Sequence, residues 1–142
     1  MKTYNLNPAE LAVEPLNDRE ELVSNYFYSG HPTVRITEGE KIREEDPDFL
    51  IPEVIGEELG LGAVIDQNGS EFDDFQVDRN GLIKAKYFCY GLSFEHNKEE
   101  APKDYTVKLT GYVHKEGKKH VFSVKSFEVE KEKKKEVGEI SI

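Results

Sequence analysis

Between residues 61 and 130, hydrophobic and polar side chains alternate with a period of two, a pattern that is typical of strands with one buried face. Turn-forming residues interrupt this pattern at 66–70, 78–81 and 116–117. A polar connection containing a proline occupies 95–104. The stretch therefore predicts five antiparallel strands joined by short connections.

The turn at 78–81 has Asp78 first and Gly81 last, which favours a type I turn closed by a bulge. With this turn one face of the hairpin is mostly apolar and the other carries a complementary charge pair. A two-residue loop would place polar side chains on the apolar face, so we reject it. The resulting pairs are Val77 with Ile83, Phe75 with Ala85, Asp73 with Tyr87, Gln76 with Lys84 and Asp74 with Lys86.

The last two predicted strands form a second hairpin. Pairing Lys115 with Lys118 places the ring of Phe122 over Gly111, where a side chain is missing. Further along the last strand, the apolar alternation slips by one residue. The slip predicts a β-bulge near residues 125–126.

Two segments before the sheet have helical signals. Asp18 and Glu21 form a capping box, and apolar positions at helical spacing follow, which predicts a helix over 18–29. Pro52 suits the first position of a helix that Gly60 would end, which predicts a second helix of about two turns.

The remaining segments give weaker patterns. Residues 33–37 predict a short β segment, and the acidic stretch 38–48 predicts a solvated loop. The mixed-charge residues 131–142 predict a flexible tail after a single domain over 1–130. These elements together predict an α+β domain, with a five-stranded, antiparallel, strongly twisted sheet and two N-terminal helices against one face. A half-open barrel is a variant of the same arrangement.

The net charge of −10 is unevenly distributed. Residues 1–80 carry −13 and residues 81–142 carry +3. Acidity argues against general duplex-DNA binding, which needs a positive footprint. No apolar run approaches the roughly 20 residues of a membrane span, and the pattern predicts a cytoplasmic protein that makes no membrane contact. The single cysteine, Cys89, falls on the apolar face and predicts a buried thiol.

Candidate catalytic or metal-binding groups do not converge in this pattern. His114 and His120 point to opposite faces of the predicted hairpin, so neither a metal nor another cofactor is expected. Asp73 is unusual because it falls on the apolar side opposite Tyr87. If a cavity encloses these two residues together with His120, they form the best candidate for an enzyme or small-ligand site.

The second face of the predicted sheet interleaves lysines with aromatic residues, as in surfaces that hold single-stranded nucleic acids. An ordinary solvated face, or a face covered by other parts of the chain, has the same composition. The candidate binding residues are Lys84, Lys86, Phe88, Tyr90, Lys108 and Tyr112.

Three functional hypotheses follow. The first is a non-enzymatic interaction protein that presents an acidic surface, including Glu44, Glu45, Asp46 and Asp48, to a basic protein partner. The second is a single-stranded nucleic-acid binder that uses the lysine and aromatic face. The third is an enzyme or ligand cavity between the helices and a curved sheet.

Overall fold

The computed structural model describes residues 1–11, 24, 26–28 and 33–130. Its strands are β1 (Lys2–Thr3), β2 (Val34–Glu38), β3 (Lys41–Glu45), β4 (Val64–Asp66), β5 (Gly69–Val77), β6 (Ile83–Phe94), β7 (Lys103–Glu116) and β8 (Lys119–Val129). Helix α1 spans Pro47–Leu59, and short 3-10 turns occupy Pro8–Glu10 and Glu95–Asn97. Residues 24 and 26–28 are also helical.

The strands form one mixed sheet with the order β3-β2-β8-β7-β6-β4, in which β5 also pairs with β6 and β1 also pairs with β8. All of these pairs are antiparallel except β2 with β8. The sheet is open, because β3 lies at one edge and β4 and β5 share the other. None of the helices in the described part of the chain combines the length and apolar character that crossing a membrane requires.

The hydrophobic core lies between one face of this sheet and the helices. Helix α1 contributes Leu50, Ile51, Val54 and Ile55, each 0 to 1% exposed. Alternate residues of β6, including Tyr87 and Cys89, face the helix side because side chains alternate along a strand. The intervening residues of β6, including Lys86 and Phe88, therefore point to the opposite side, which we call the outer face.

The α+β class is confirmed, as is the antiparallel pairing of β5 with β6, β6 with β7 and β7 with β8. The first predicted strand is β4, and it pairs with β6 rather than with β5 across the turn at 66–70. The expected five-strand count is wrong, since the described residues contain eight strands in a mixed sheet. The segment 38–48 is not a loop, because β3 pairs with β2 through a hairpin closed by Glu38 and Lys41. The short β segment at 33–37 is confirmed as β2.

The two predicted helices have different outcomes. Helix α1 begins at Pro47, five residues before Pro52, which lies inside the helix. Pro47 provides the fixed φ that suits a first helical turn, and the helix ends at Gly60 as expected. Of the predicted helix over 18–29, residues 24 and 26–28 are helical, and the other positions lie outside the described residues. The predicted tail over 131–142 lies outside them as well.

The hairpin between β5 and β6 follows the predicted register only near its turn. Val77 pairs with Ile83, and the N–H of Gly81 donates to the carbonyl of Asp78 at 3.0 Å. Asp74, however, has a φ of +53° and interrupts the ladder. Beyond this irregularity Phe72, not Asp73, pairs with Tyr87, and Asp73 rather than Asp74 pairs with Lys86.

The hairpin between β7 and β8 confirms the bulge and corrects the register. Thr110 pairs with Ser126 and Gly111 with Val124, so Lys125 is the extra residue. The hairpin closes through Glu116 with Lys119, which shifts the expected pairing by two residues and keeps each side chain on its expected face.

Candidate functional site

The N-terminal end of helix α1 carries exposed carboxylates. Glu45 ends strand β3, Asp46 occupies the N-cap position of the helix, and Asp48 lies in the first helical turn. All three residues are exposed. Negative charge at this end interacts favourably with the helix dipole. No salt bridge within the described residues neutralises these three side chains. We call Glu45, Asp46, Asp48 and the neighbouring Phe49 the acidic surface.

Phe49 is the hydrophobic member of this surface. Its side chain is 63% exposed, whereas the next two residues, Leu50 and Ile51, are fully buried. Helical geometry places Phe49 on the solvent side of α1, where the core gains nothing from a large apolar ring. An exposed aromatic ring among carboxylates is the kind of residue that anchors protein interfaces.

Glu44, predicted as part of the same surface, lies elsewhere and is neutralised within the chain. The Nε of Arg35 donates to its Oε1 at 2.7 Å, and the Nζ of Lys119 donates to its Oε2. Lys119, and then Arg35, hold the pKa of the Glu44 carboxyl below its usual range. Glu44 thus links β2, β3 and β8, and its charge is already paired within the chain.

Helix α1 is fixed to the sheet by Arg43 of β3. Its guanidinium donates to Glu57 at 2.7 and 3.0 Å and to Glu53 at 3.0 Å. At the other side of the acidic surface, the side-chain amide of Gln67 donates to the carbonyl of Asp48 at 2.6 Å. The acidic surface is therefore held on ordered structure.

The lysine and aromatic residues predicted on the second sheet face differ in accessibility. Lys84, Tyr90 and Lys108 are exposed and Lys86 and Phe88 are half-buried, all on the outer face. Phe88 and Tyr90 lie side by side, with ring centroids 6.3 Å apart and planes inclined by 24°. The sixth residue, Tyr112, is 5% exposed, so its ring cannot stack on a base.

Acidic side chains flank this group on the neighbouring strands. Glu71 pairs with Phe88, Asp73 with Lys86, and Glu128 with Lys108. Glu130 lies 3.3 Å from the ammonium of Lys108. Opposite charges across strands stabilise a solvated face, and they offset the positive potential that phosphates would need.

A surface cleft of about 300 Å³ opens beside the lysines. Asp74 and Glu128 line it together with Lys84, Lys86 and Lys108, so charges of both signs are present. The hydroxyls of Thr110 and Ser126, also in its wall, hydrogen-bond to each other at 2.5 Å. The cleft therefore presents three ammonium groups together with two carboxylates.

The proposed trio of Asp73, Tyr87 and His120 does not assemble. Asp73 is exposed on the outer face, whereas Tyr87 is 2% exposed on the core face and donates to Ser70 Oγ at 2.6 Å. The bulge at Asp74 separates them, because it moves Phe72 into the position expected for Asp73. Two clefts, of about 320 and 300 Å³, contain none of the three residues in their walls.

A Ser–His–Glu arrangement is present that the sequence pattern did not reveal. His114 Nε2 lies 2.7 Å from Ser123 Oγ, and His114 Nδ1 lies 3.6 Å from Glu116 Oε2. The order resembles that of hydrolytic triads, but His114 is 1% and Ser123 2% exposed. A nucleophile must reach its substrate, so this arrangement is structural as it stands. The period-two pattern shows that Ser123 and His114 share a face, which is the signal that could have identified the pair.

Groups suited to a metal do not cluster in the part of the chain that the structure describes. Cys89 is buried as expected, and burial raises the pKa of its thiol to about 12, which keeps it protonated and unreactive at neutral pH.

Comparison with known proteins gives no relative from which a role could be transferred. No family model matches the sequence, and no curated protein or solved structure matches it either. A functional assignment for this chain therefore depends on the chemistry of its own surface.

Proposed function

We propose that this protein is a non-enzymatic interaction module that binds a basic protein partner through the acidic surface of Glu45, Asp46, Asp48 and Phe49. The observation that carries the proposal is Phe49, a ring 63% exposed beside these exposed carboxylates at the start of a well-anchored helix.

The charge distribution supports a basic partner. Residues 38–58 contain nine acidic and two basic side chains. Glu38 and Glu44 pair with bases from outside this segment, whereas Glu45, Asp46 and Asp48 have no ion-pair partner among the described residues. Arg43, one of the two bases, is already engaged with Glu53 and Glu57. A concentrated negative patch steers a positively charged protein toward it and orients the encounter.

The apolar ring of Phe49 supplies binding free energy that exposed charges alone do not. Exposed ion pairs are each worth little, because water and salt screen them. An aromatic side chain that becomes buried at the centre of an interface contributes much more, and a polar rim excludes water around it. The partner surface that fits is an apolar pocket surrounded by lysines or arginines.

The test of Phe49 uses a labelled peptide that alternates lysine with leucine, titrated into the full chain. Phe49→Ser is expected to weaken binding by about tenfold, the effect of losing one interface anchor. Leu59→Ser is the matched control, since Leu59 is 45% exposed at the far end of the same helix. Equal losses in the two variants would show that Phe49 has no special role and would reject the proposed site.

The hypothesis of single-stranded nucleic-acid binding has less support. The near-parallel rings of Phe88 and Tyr90 favour it, but the flanking carboxylates and the buried Tyr112 oppose it. An oligonucleotide titration tests this second hypothesis.

A further inference from the structure

The outer face of strand β6 is basic at one end and aromatic at the other. Lys84 and Lys86 occupy one end, while Phe88 and Tyr90 occupy the other. Around the aromatic end the neighbouring strands supply acids instead of bases. Glu71 of β5 is the cross-strand partner of Phe88, and Asp104 of β7 accepts a hydrogen bond from the N–H of Gly91 at 2.9 Å.

The carboxylates lie close enough to Tyr90 to act on it. Desolvation raises the pKa of the Tyr90 phenol, and the negative charges of Glu71, Asp104 and Asp73 add to this effect. Neither Glu71 nor Asp104 has a salt-bridge partner among the residues that the structure describes. The aromatic end is therefore a pair of rings in a locally negative field.

The rings also have open space beside them. Gly69 of β5 is the cross-strand partner of Tyr90, so no side chain covers the ring from that side. A Cβ atom added to Gly69 would have no atom within 4 Å. Tyr90 is 37% exposed, and Phe88 is half-buried beside it. A flat group approaching over β5 can reach both the rings and Glu71.

We propose that Phe88, Tyr90, Glu71 and Asp104 form a docking platform for an arginine side chain of a basic peptide. A guanidinium group is planar and weakly hydrated, so it stacks on aromatic rings while its edge N–H groups donate to carboxylates. The platform supplies both kinds of partner. Lys84, whose cross-strand partners Gln76 and Thr110 are uncharged, repels a cation from the other end of β6 and so favours binding at the aromatic end.

Other ligand classes fit less well. Phosphate groups of a nucleic acid meet Glu71, Asp73 and Asp104 beside the rings, and an acidic peptide meets the same repulsion. A lysine ammonium can pair with a carboxylate, but it cannot stack as a plane on a ring. The platform lies on the outer face, opposite the face that carries α1, so it is a site separate from the acidic surface.

The test uses three short, otherwise uncharged peptides that contain a single arginine, lysine or citrulline, titrated into the isotopically labelled full chain. Citrulline keeps the shape of arginine without its charge. The arginine peptide is expected to bind more tightly than the other two, and the largest amide shifts are expected at Gly69, Tyr90 and Gly91. Equal binding of the citrulline peptide would overturn the proposal.

Variants of the platform then separate the contribution of ring stacking to binding from that of the carboxylate charge. Tyr90→Ala is expected to weaken the arginine peptide by about two- to fivefold, the effect of one cation–π contact at an exposed site. Tyr90→Leu keeps apolar bulk on the strand and is expected to show the same loss, which guards against an effect of misfolding. Asp104→Asn keeps an acceptor for Gly91 and removes the charge, so it too is expected to weaken binding.

These measurements distinguish binding at the platform from binding at the acidic surface. Tyr28→Ala, at a tyrosine 63% exposed elsewhere, is the control that is expected to leave binding unchanged. Shifts confined to residues 45–49, with no loss in the Tyr90 variants, would overturn the platform and leave the function proposed above intact.

Discussion

Arg35 of β2 donates to both carboxylate oxygens of Glu116 at the end of β7, at 2.5 and 2.6 Å. This bidentate pair joins residues 81 positions apart in the sequence. The same guanidinium also donates to Glu44 of β3. One arginine therefore links the hairpin of β2 and β3, which leads into the acidic surface, to the hairpin of β7 and β8.

Removal of this arginine is expected to destabilise the fold. Arg35→Met keeps the aliphatic stem but leaves Glu116 without its main partner and Glu44 with Lys119 alone. Because the Arg35 side chain is only 19% exposed, we expect a loss of about 1 to 2 kcal/mol in the free energy of unfolding. Urea unfolding measures it. Lys108→Met, which breaks a more exposed pair with Glu130, is the control, with an expected loss of about 0.5 kcal/mol or less. Equal losses would contradict the linking role of Arg35.

Gly111 and Gly69 offer a matched test of packing on the sheet. A Cβ atom at Gly111 would lie 2.2 Å from the carbonyl oxygen of Ser123 and 2.7 Å from Phe122 Cε1, whereas at Gly69 it would meet nothing within 4 Å. Gly111→Ala is expected to cost about 1 to 3 kcal/mol through overpacking, and Gly69→Ala is expected to be neutral or slightly stabilising. Thermal unfolding of both variants checks this. Equal stability of the two variants would show that Gly111 is not packed tightly against Ser123 and Phe122.

Stability is expected to fall in mild acid because of His114. Burial lowers the pKa of its imidazole below the ordinary value of 6.5, although Glu116 opposes this shift. The unfolded chain therefore binds a proton at a higher pH than the folded chain does, so stability is fully present above pH 6.5 and declines below it. The groups that face the imidazole are Ser123 and Glu116, and the charges of Arg35 and Glu44 lie beyond them.

Unfolding measured as a function of pH isolates this contribution. His114→Gln keeps a polar group near Ser123 but cannot titrate, so the decline just below pH 6.5 is expected to become shallower. His96→Gln, at an exposed histidine of the 3-10 turn Glu95–Asn97, is the control that is expected to keep the decline. The pKa values of Glu44 and Glu116 are lowered by their cationic partners. The stability that these carboxylates contribute is therefore lost in a separate range, below pH 4.5. An unchanged profile in His114→Gln would contradict the account.

Single-stranded oligonucleotides are expected not to bind, even at low salt, where phosphate contacts are strongest. Cross-strand carboxylates offset the outer-face lysines, and Tyr112 is buried. Fluorescence anisotropy with labelled oligonucleotides tests this. Salt-sensitive binding that Tyr90→Ala weakens would reverse the conclusion and identify the outer face as a nucleic-acid surface.

Local sequence signals predicted the features of the fold that depend on neighbouring residues. Asp78 and Gly81 determine their own turn, and the slip in apolar alternation before Phe127 locates the bulge at Lys125. The register beyond Asp74 was not predictable in this way. Aspartate tolerates a positive φ better than most residues, but neighbouring Asp73 and Asp74 give the same signal, so the sequence does not locate the irregularity. The irregularity at Asp74 places Phe72 instead of Asp73 opposite Tyr87.

Strand β3 and the start of α1 were missed for a different reason. Four of the five residues of β3 are charged, because the strand lies at a sheet edge and its side chains pair with other elements. Pro52 is a residue type that suits the start of a helix, but Pro47 suits it equally and lies earlier, and helix α1 begins there.

The sequence predicted the candidate site only where its residues are close together in the chain. Glu45, Asp46 and Asp48 are adjacent in sequence and lie together, whereas the neutralisation of Glu44 depends on Arg35 and Lys119, which only the folded sheet brings near. The Ser123 and His114 contact likewise depends on the register of β7 and β8.

If charge on the acidic surface attracts a basic partner, binding must depend on salt and on these three carboxylates. The labelled lysine and leucine peptide is titrated at low and high salt into three proteins. They are the natural chain, the triple variant Glu45→Gln, Asp46→Asn, Asp48→Asn, and a control triple variant of equal net charge, Glu10→Gln, Glu99→Gln, Glu128→Gln. Asparagine at position 46 preserves the capping preference of the helix. We expect the natural chain and the control to bind at low salt and weaken as salt rises, and the acidic-surface variant to bind poorly throughout. An affinity independent of salt, or equal in the two triple variants, would contradict the proposed function.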